Sequence, residues 1–569
     1  MNESNQESRR YDTYIALFYI LLFSVLVLRV FYSVELTDEI HGIASIYNIY
    51  QGKAPFMTSW DYHTGWCLLA PFLWIYQKLV PDLEGIVLYF RLLYIAFIVV
   101  YLAIINRLLK KKWQDKRVWY ATLPAFFYVS ASLFTINYNS FVVYNFILAA
   151  VLLDTSVPKK KESLRYLILG IILGVCCITY PTAAVFAVFL AGVVLAVNRK
   201  GAWKSKVCWY MFGGLATAAV FLAWVFSKGS AELLLEAMRG MFSSPHEQSK
   251  GTIDLAYLYH VFYIPLKYYV RRKFSLVIFV FGVLLFSFWK LCKKGMISRK
   301  FFERTAFGIF LIFLCCNAFL HRDSYSYVVT GMAIGGFLFV FFIKPELFQR
   351  YLIYEVFFIA YVITYAFTSD NRSILTAVSV AGPILYFVLS IFIGIGVEEK
   401  KRRAGIVFSV LLILSSLLNM YSYIYRDAPV GELTARVEHG IYCGLYTTPE
   451  RKRLVEELES VLEENICKDE TVCAVTRAPA IYMMSKAKIC APQTWDAQFL
   501  ARGYTSAGPL LSYFEAIDET PDVLVATTWD ISDFYENPKY EINSFIDQYY
   551  KLYHTNTVED VQVWLWRRK

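Results

Sequence analysis

Apolar runs long enough to form helices alternate with short polar connections through most of the chain. They lie at 14–34, 86–106, 118–136, 140–155, 166–180, 182–198, 207–227, 274–289, 305–320, 326–343, 351–368, 374–396 and 404–424, thirteen in all. At about 1.5 Å per residue, about 20 apolar residues cover a hydrocarbon core of about 30 Å. The pattern therefore predicts an α-helical polytopic membrane protein of about 13 transmembrane helices. The first run holds one charge, Arg29, and lacks a small-residue cleavage site, so it reads as a span and not a removable leader. The tract 166–198 exceeds one crossing, and Pro181 removes a backbone donor and disfavours helix at Tyr180, which places a break there.

Beyond residue 424 the periodicity changes. PERKRLVEELESVLEEN reads as an amphipathic helix, TVCAVT as a strand, PAIYMMSKAKI as a helix and PDVLVATTWD as another strand. These elements predict a small α/β domain at 425–569 whose apolar strands form a parallel or mixed sheet with both faces covered. The preceding module, 1–424, has two long connections. Residues 35–85 suit helices lying along a membrane interface. Residues 228–273 read as helix, link and aromatic-basic helix, the arrangement of a lid.

Composition and charge add sidedness. The chain of 569 residues is 57% hydrophobic and only 18% charged, with mean hydropathy +0.44, outside the range of ordinary soluble domains. Lys and Arg concentrate in alternate loops (RLLKKKWQDKR, VPKKKESLR, NRKGAWKSK, KLCKKGMISRKFFER, KPELFQR and EEKKRR), which marks these loops and the N-terminus as cytoplasmic. The connections 35–85 and 228–273 and the C-terminal domain then face outward from a cell membrane. The net charge of +10 needs no nucleic acid, because these basic loops lie against anionic headgroups. Cys443, Cys467, Cys473 and Cys490 allow one or two disulfides in three full connectivities, and their spacing matches no metal motif.

Titratable residues gather in TDEIHGIASIYNIYQGKAPFMTSWDYHTG, just after the first run. Adjacent carboxylates such as Asp38 and Glu39 can divide labour between accepting a proton and holding a cation or a sugar hydroxyl. They can equally cap a helix, with Thr37 or Asp38 as N-cap. His41 follows one helical turn after Asp38.

DEIHGIASIYNIYQGKAPF, WDYHTGWCLLAPFLWIYQKLVP and RLLYIAFIVVYLAII together resemble the first outer loop and second span of GT-C fold membrane glycosyltransferases. The likeness is to bacterial relatives of the protein O-mannosyltransferases and of the lipid A aminoarabinose transferase. It is carried by the acidic pair Asp38–Glu39, the small Ala44, the turn Gly52 to Pro55 and the aromatic-polar segment Tyr62 to Leu69. GIILGVCCITYPTAAVFAVFL and HRDSYSYVVTGMAIGGFLF resemble later spans of the same family.

The resemblance implies inverting transfer of a sugar from a polyprenyl-phosphate donor to an exported protein, lipid or glycan. Asp38 becomes the catalytic base and Glu39 its helper or a metal ligand. The departing phosphate needs a positive charge. Arg322 is the candidate, since its fork can hold two phosphate oxygens, and Tyr180 stands in the same phosphate region where relatives often carry Lys. Asp61 and His63 form, with Glu39, a candidate site for a divalent cation (Mg, Mn or Zn), or they serve only the loop's hydrogen bonds. His246 and Glu247 lie on the lid, facing acceptor or metal, or solvent. Two other readings remain open. A polysaccharide polymerase or ligase using a diphosphate-linked donor calls for more than one Arg. A lipid or solute transporter calls for ionisable residues in mid-span, where this chain has almost none.

Overall fold

The computed structural model describes residues 2–60, 64–80, 82–115, 117–155, 158–197, 203–243, 255–271, 275–368, 373–395, 402–495, 508–529 and 542–569. Each of the thirteen apolar runs contains a helix. Seven of these helices are long and apolar enough to cross a membrane: Ile86–Trp113, Glu162–Thr179, Lys204–Phe226, Leu276–Lys293, Arg299–Leu320, Tyr325–Ile343 and Ala404–Ser422. An eighth candidate is a broken pair, Ile374–Val380 and Gly382–Ile395, bent by 65°. The other five, Ile15–Arg29, Val118–Phe127, Tyr138–Asp154, Ala183–Val193 and Leu352–Phe367, are shorter.

Local chemistry shortens some of these helices. In the run 118–136 the α-helix ends at Phe127, where Tyr128 turns extended (φ −83°, ψ 118°), and Ala131 and Ser132 beyond it take left-handed φ of 54° and 58°. Asn137 restarts it by capping the Ser140 N–H at 2.8 Å, while the Ser140 hydroxyl accepts from the Asn137 N–H at 3.0 Å. The break at Pro181 is present: one helix ends at Thr179, Tyr180 is extended (φ −143°, ψ 94°) and the next helix starts at Ala183.

Four helices frame the site. We label them α1 (Asn2–Arg29), α2 (Asp38–Tyr50), α3 (Ala70–Leu79) and α4 (Ile86–Trp113). The turn after α2 depends on Gly52, whose φ of +100° suits a residue without a Cβ.

The C-terminal region is a small mixed sheet with helices. Its strands are β1 (Ala435–Arg436), β2 (Tyr446–Thr447), β3 (Thr471–Ala474), β4 (Lys488–Ile489), β5 (Val523–Thr527), β6 (Tyr550–Val558) and β7 (Val561–Arg568). Five strands run in the order β4-β3-β5-β7-β6. β3 is parallel to β4 and β5, and β7 is antiparallel to β5 and β6. Parallel neighbours need crossovers, and Ala480–Met484 lies between β3 and β4 and Gly508–Ile517 between β4 and β5, while Pro449–Asn465 precedes β3. The β6–β7 hairpin is an addition that no expectation covered. All eleven cysteines are unpaired, so none of the disulfides that the sequence allows is formed.

Backbone bonds tie this sheet region to the helical bundle. Ser33 donates to the Tyr446 carbonyl at 2.8 Å, and Tyr446 donates to that of Phe31 at 2.7 Å. Gly85, just before α4, donates to the Gly440 carbonyl at 2.9 Å. The α2 connection is bound just as closely: the Gln51 amide donates to the Ala487 carbonyl at 2.8 Å and accepts from the Ile489 N–H at 2.9 Å.

Candidate active site

The N-terminus of α2 exposes N–H groups that have no partner within the helix. Thr37 stands at the N-cap, but its side chain makes no capping bond. Glu35 does the work instead: its Oε2 accepts from the N–H groups of Thr37 at 3.0 Å and Glu39 at 2.8 Å, and the Thr37 hydroxyl donates to Oε1. A carboxylate here is also favoured by the helix dipole.

Glu39 points away from this cap. Its two oxygens receive Nε and Nη2 of Arg91, on α4, at 2.6 Å each, and both side chains are only 2% exposed. Nη1 of Arg91 also donates to the carbonyls of Val30 at 2.7 Å and Tyr32 at 3.1 Å, and Nη2 to that of Ser33 at 3.1 Å. One guanidinium thus stitches the α1–α2 turn to α4. The sequence offers Glu39 as helper base or metal ligand; the structure instead engages both its oxygens in a buried ion pair, so the adjacent carboxylates do not form a pair.

Asp38 occupies a different environment. A third of its side chain is exposed, while its Oδ2 is buried without a hydrogen-bond partner among the described residues. Nη1 of Arg426 lies 3.7 Å from that oxygen and 3.8 Å from Glu35 Oε1, and it bonds the Thr37 hydroxyl. Arg426 sits over the Tyr425 ring at 5.0 Å, with the Tyr425 side chain beside Asp38.

The segment carrying Arg426 is pinned to the same turn. Arg451 bonds the carbonyls of Arg426 at 2.6 Å and Val34 at 2.9 Å, and Asp427 accepts from the Val34 N–H at 2.7 Å. Burial pushes the Asp38 carboxyl up from its ordinary value, against the pull of Arg426. The Glu35 carboxyl rises for the same reason, with the Asp38 charge adding to the effect. Burial and the Asp38 charge also raise the Tyr425 phenol.

The next turn of α2 meets the sheet region. Nδ1 of His41 lies 3.0 Å from the Thr494 hydroxyl, which is also 2.7 Å from Ser45 Oγ. The His41 ring packs edge-on against Trp66 at 5.9 Å and Trp495 at 5.3 Å, and Arg477 stacks over Trp495 at 5.1 Å. Burial pushes the His41 imidazolium down to about 3, so the ring is neutral near pH 7.

Tyr180 reaches this cluster through Tyr138 and Trp66, whereas Arg322 packs on Phe319. Tyr180 is buried and stacks on Tyr138 at 5.6 Å, with Tyr138 in turn edge-on to Trp66 at 6.4 Å. It extends the aromatic packing where the resemblance places a phosphate contact. Arg322 lies over Phe319 at 4.9 Å and its carbonyl accepts from Asn419 at 3.1 Å. Asp61, His63, His246 and Glu247 lie outside the described residues.

The described residues around Asp38 form no ready set of ligands for a divalent cation, and the candidates Asp61 and His63 lie outside them. No group of three His, Cys, Asp or Glu suited to a metal exists among them. Both Glu39 oxygens are engaged by Arg91, Glu35 caps α2 through Oε2 and accepts the Thr37 hydroxyl at Oε1, and a guanidinium stands beside the remaining carboxylate. Sequence reasoning missed Glu35, Arg91, Arg426 and Arg477. Glu35 carried a signal, since an acidic residue just before a helix start suits a cap. Arg91 carried another, as an ionisable residue inside an apolar run.

No family model and no curated protein matches the chain. Among solved structures, it is similar to the Archaeoglobus fulgidus oligosaccharyltransferase in complex with Zn and sulfate, with TM-score 0.46, 11% identity, and coverage of 94% of this chain and 72% of that one. It is also similar to the archaeal oligosaccharyltransferase AglB from the same organism in complex with an inhibitory peptide and a dolichol-phosphate, with TM-score 0.37, 10% identity, and coverage of 96% and 74%. At these scores and identities, the likenesses assign neither fold nor activity to this chain.

Proposed function

We propose that this chain is a GT-C-type membrane glycosyltransferase that moves a sugar from a polyprenyl-phosphate donor to an exported acceptor, with Asp38 as the base. The observation that carries this reading is the contrast at the start of α2. Glu35 and Glu39 are both consumed by structure, whereas Asp38 remains partly open beside a cation. Such a carboxylate, raised above its ordinary range, suits general-base chemistry closer to neutral pH.

In the proposed step, an acceptor hydroxyl oxygen bonds to the sugar's anomeric carbon as the bond from that carbon to the phosphate oxygen breaks. The electron pair leaves with the phosphate and the hydroxyl proton goes to Asp38. A single displacement inverts the carbon. Glu39 and Arg91 act as positioning residues by fixing the turn that presents Asp38. In this reading the apolar helices form the membrane module, the N-terminus is cytoplasmic and residues 425–569 lie outside.

A second reading, transfer from a diphosphate-linked donor by a polymerase or ligase, is favoured by a second arginine, Arg477, which lies over Trp495 beside His41. Product analysis after reaction with a polyprenyl-phosphate sugar of known configuration tests the first reading. The account expects inversion; retention, or activity with diphosphate donors alone, overturns it.

A further inference from the structure

We infer that the C-terminal sheet region completes the active site, with Arg477 and Arg426 together holding the phosphate of the lipid-linked donor beside Asp38. The identity of this anion rests on the glycosyl-transfer reading above.

The geometry begins at Thr494. His41 and Ser45, on successive turns of α2, both contact its hydroxyl, at 3.0 Å and 2.7 Å, and so fix the segment that follows β4 against α2. Trp495, next in sequence, packs on His41, and the Arg477 guanidinium lies over Trp495. His41 is one helical turn from Asp38, so the sheet region delivers Arg477 to the neighbourhood of the base. A guanidinium seated on an indole face is pre-organised for an oxyanion, and its planar fork matches phosphate oxygens. Arg426 reaches the same carboxylate at 3.7 Å from the segment that joins the apolar bundle to the sheet.

The charge balance points to an anion whose charge grows during the reaction. When Asp38 takes the acceptor's proton, the cluster gains one surplus positive charge, just as the departing phosphate gains one negative charge.

Binding of polyprenyl monophosphate, polyprenyl diphosphate and uncharged polyprenol to the purified full-length protein in detergent tests the inference without requiring turnover. Arg477→Met should weaken binding of the phosphate lipids by at least about tenfold and leave polyprenol binding unchanged. Arg477→Lys should recover part of the loss, and Trp495→Leu should reproduce it by unseating the guanidinium. Equal binding of the phosphate lipids by wild type and Arg477→Met overturns the inference, as does an equal loss for all three lipids, which marks a structural role. A larger loss for the diphosphate than for the monophosphate assigns the pair to a diphosphate donor. Wild-type protein that binds the phosphate lipids through Arg477 yet transfers no sugar defeats the glycosyl-transfer reading alone, and full transfer with unchanged donor KM in Arg477→Met defeats this inference alone.

Discussion

Glu39→Gln separates a structural from a catalytic role for the acidic pair. The substitution keeps the shape of Glu39 but leaves the Arg91 guanidinium, 2% exposed, without its counter-charge. Breaking a buried pair by removing one partner costs about 3–5 kcal/mol. Arg91→Met should cost at least as much, because the Val30, Tyr32 and Ser33 carbonyls also lose their donor, and each unsatisfied buried group costs about 1–3 kcal/mol. The double variant Glu39→Gln/Arg91→Met removes both charges together and should lie closer to wild type than the sum of the single losses. Unfolding midpoints of the four proteins in one detergent, closed as a double-mutant cycle, measure this coupling, with sugar transfer assayed on the same samples. A Glu39→Gln protein as stable as wild type but devoid of transfer would refute the reasoning and return Glu39 to the chemistry.

Three further outcomes follow from the same geometry. Burial pushes Glu459 up from 4.5 to about 7, only partly offset by the Ile441 N–H at 3.0 Å. Its favourable contribution is full below about pH 4.5 and is lost as pH rises through about 7, a change on the order of 3 kcal/mol. Unfolding midpoints across this range should fall in wild type and flatten in Glu459→Gln; a wild-type midpoint that rises over the range contradicts the assignment. Gly52→Ala, at φ +100°, should cost about 1–2 kcal/mol, and an unchanged midpoint would show that the turn relaxes freely. The acid limb of kcat/KM should lie above the ordinary aspartate range, because burial raises Asp38 and transfer is lost as pH falls through its pKa. A limb that moves when His41 is replaced would contradict the neutral state of that ring.

The helical elements were legible because apolar runs broken by basic loops leave little alternative, and Pro181 set a break through its missing donor. The helix Pro449–Asn465 and strands β3 and β5 were legible for a similar reason, since period-3.6 and continuous apolar patterns differ within a short span. Asp38 stood out only because it neighbours Glu39 in sequence, and that adjacency misled. Successive residues on a helix point in different directions, so one carboxylate meets Arg91 while the other faces Arg426. Arg426 and Arg477 were invisible because they arrive from 388 and 439 residues downstream of Asp38, by arithmetic on the numbering. No local pattern marks a residue whose neighbour lies that far along the chain.

The central claim is that Asp38 is the base of sugar transfer from a lipid-linked donor. Its most direct test is transfer of radiolabelled sugar from polyprenyl-phosphate donors, comparing wild type with Asp38→Asn, which keeps the shape but cannot accept the proton. The account predicts transfer by wild type and none above background by a variant with an unchanged unfolding midpoint. Transfer at the wild-type rate by Asp38→Asn would contradict it.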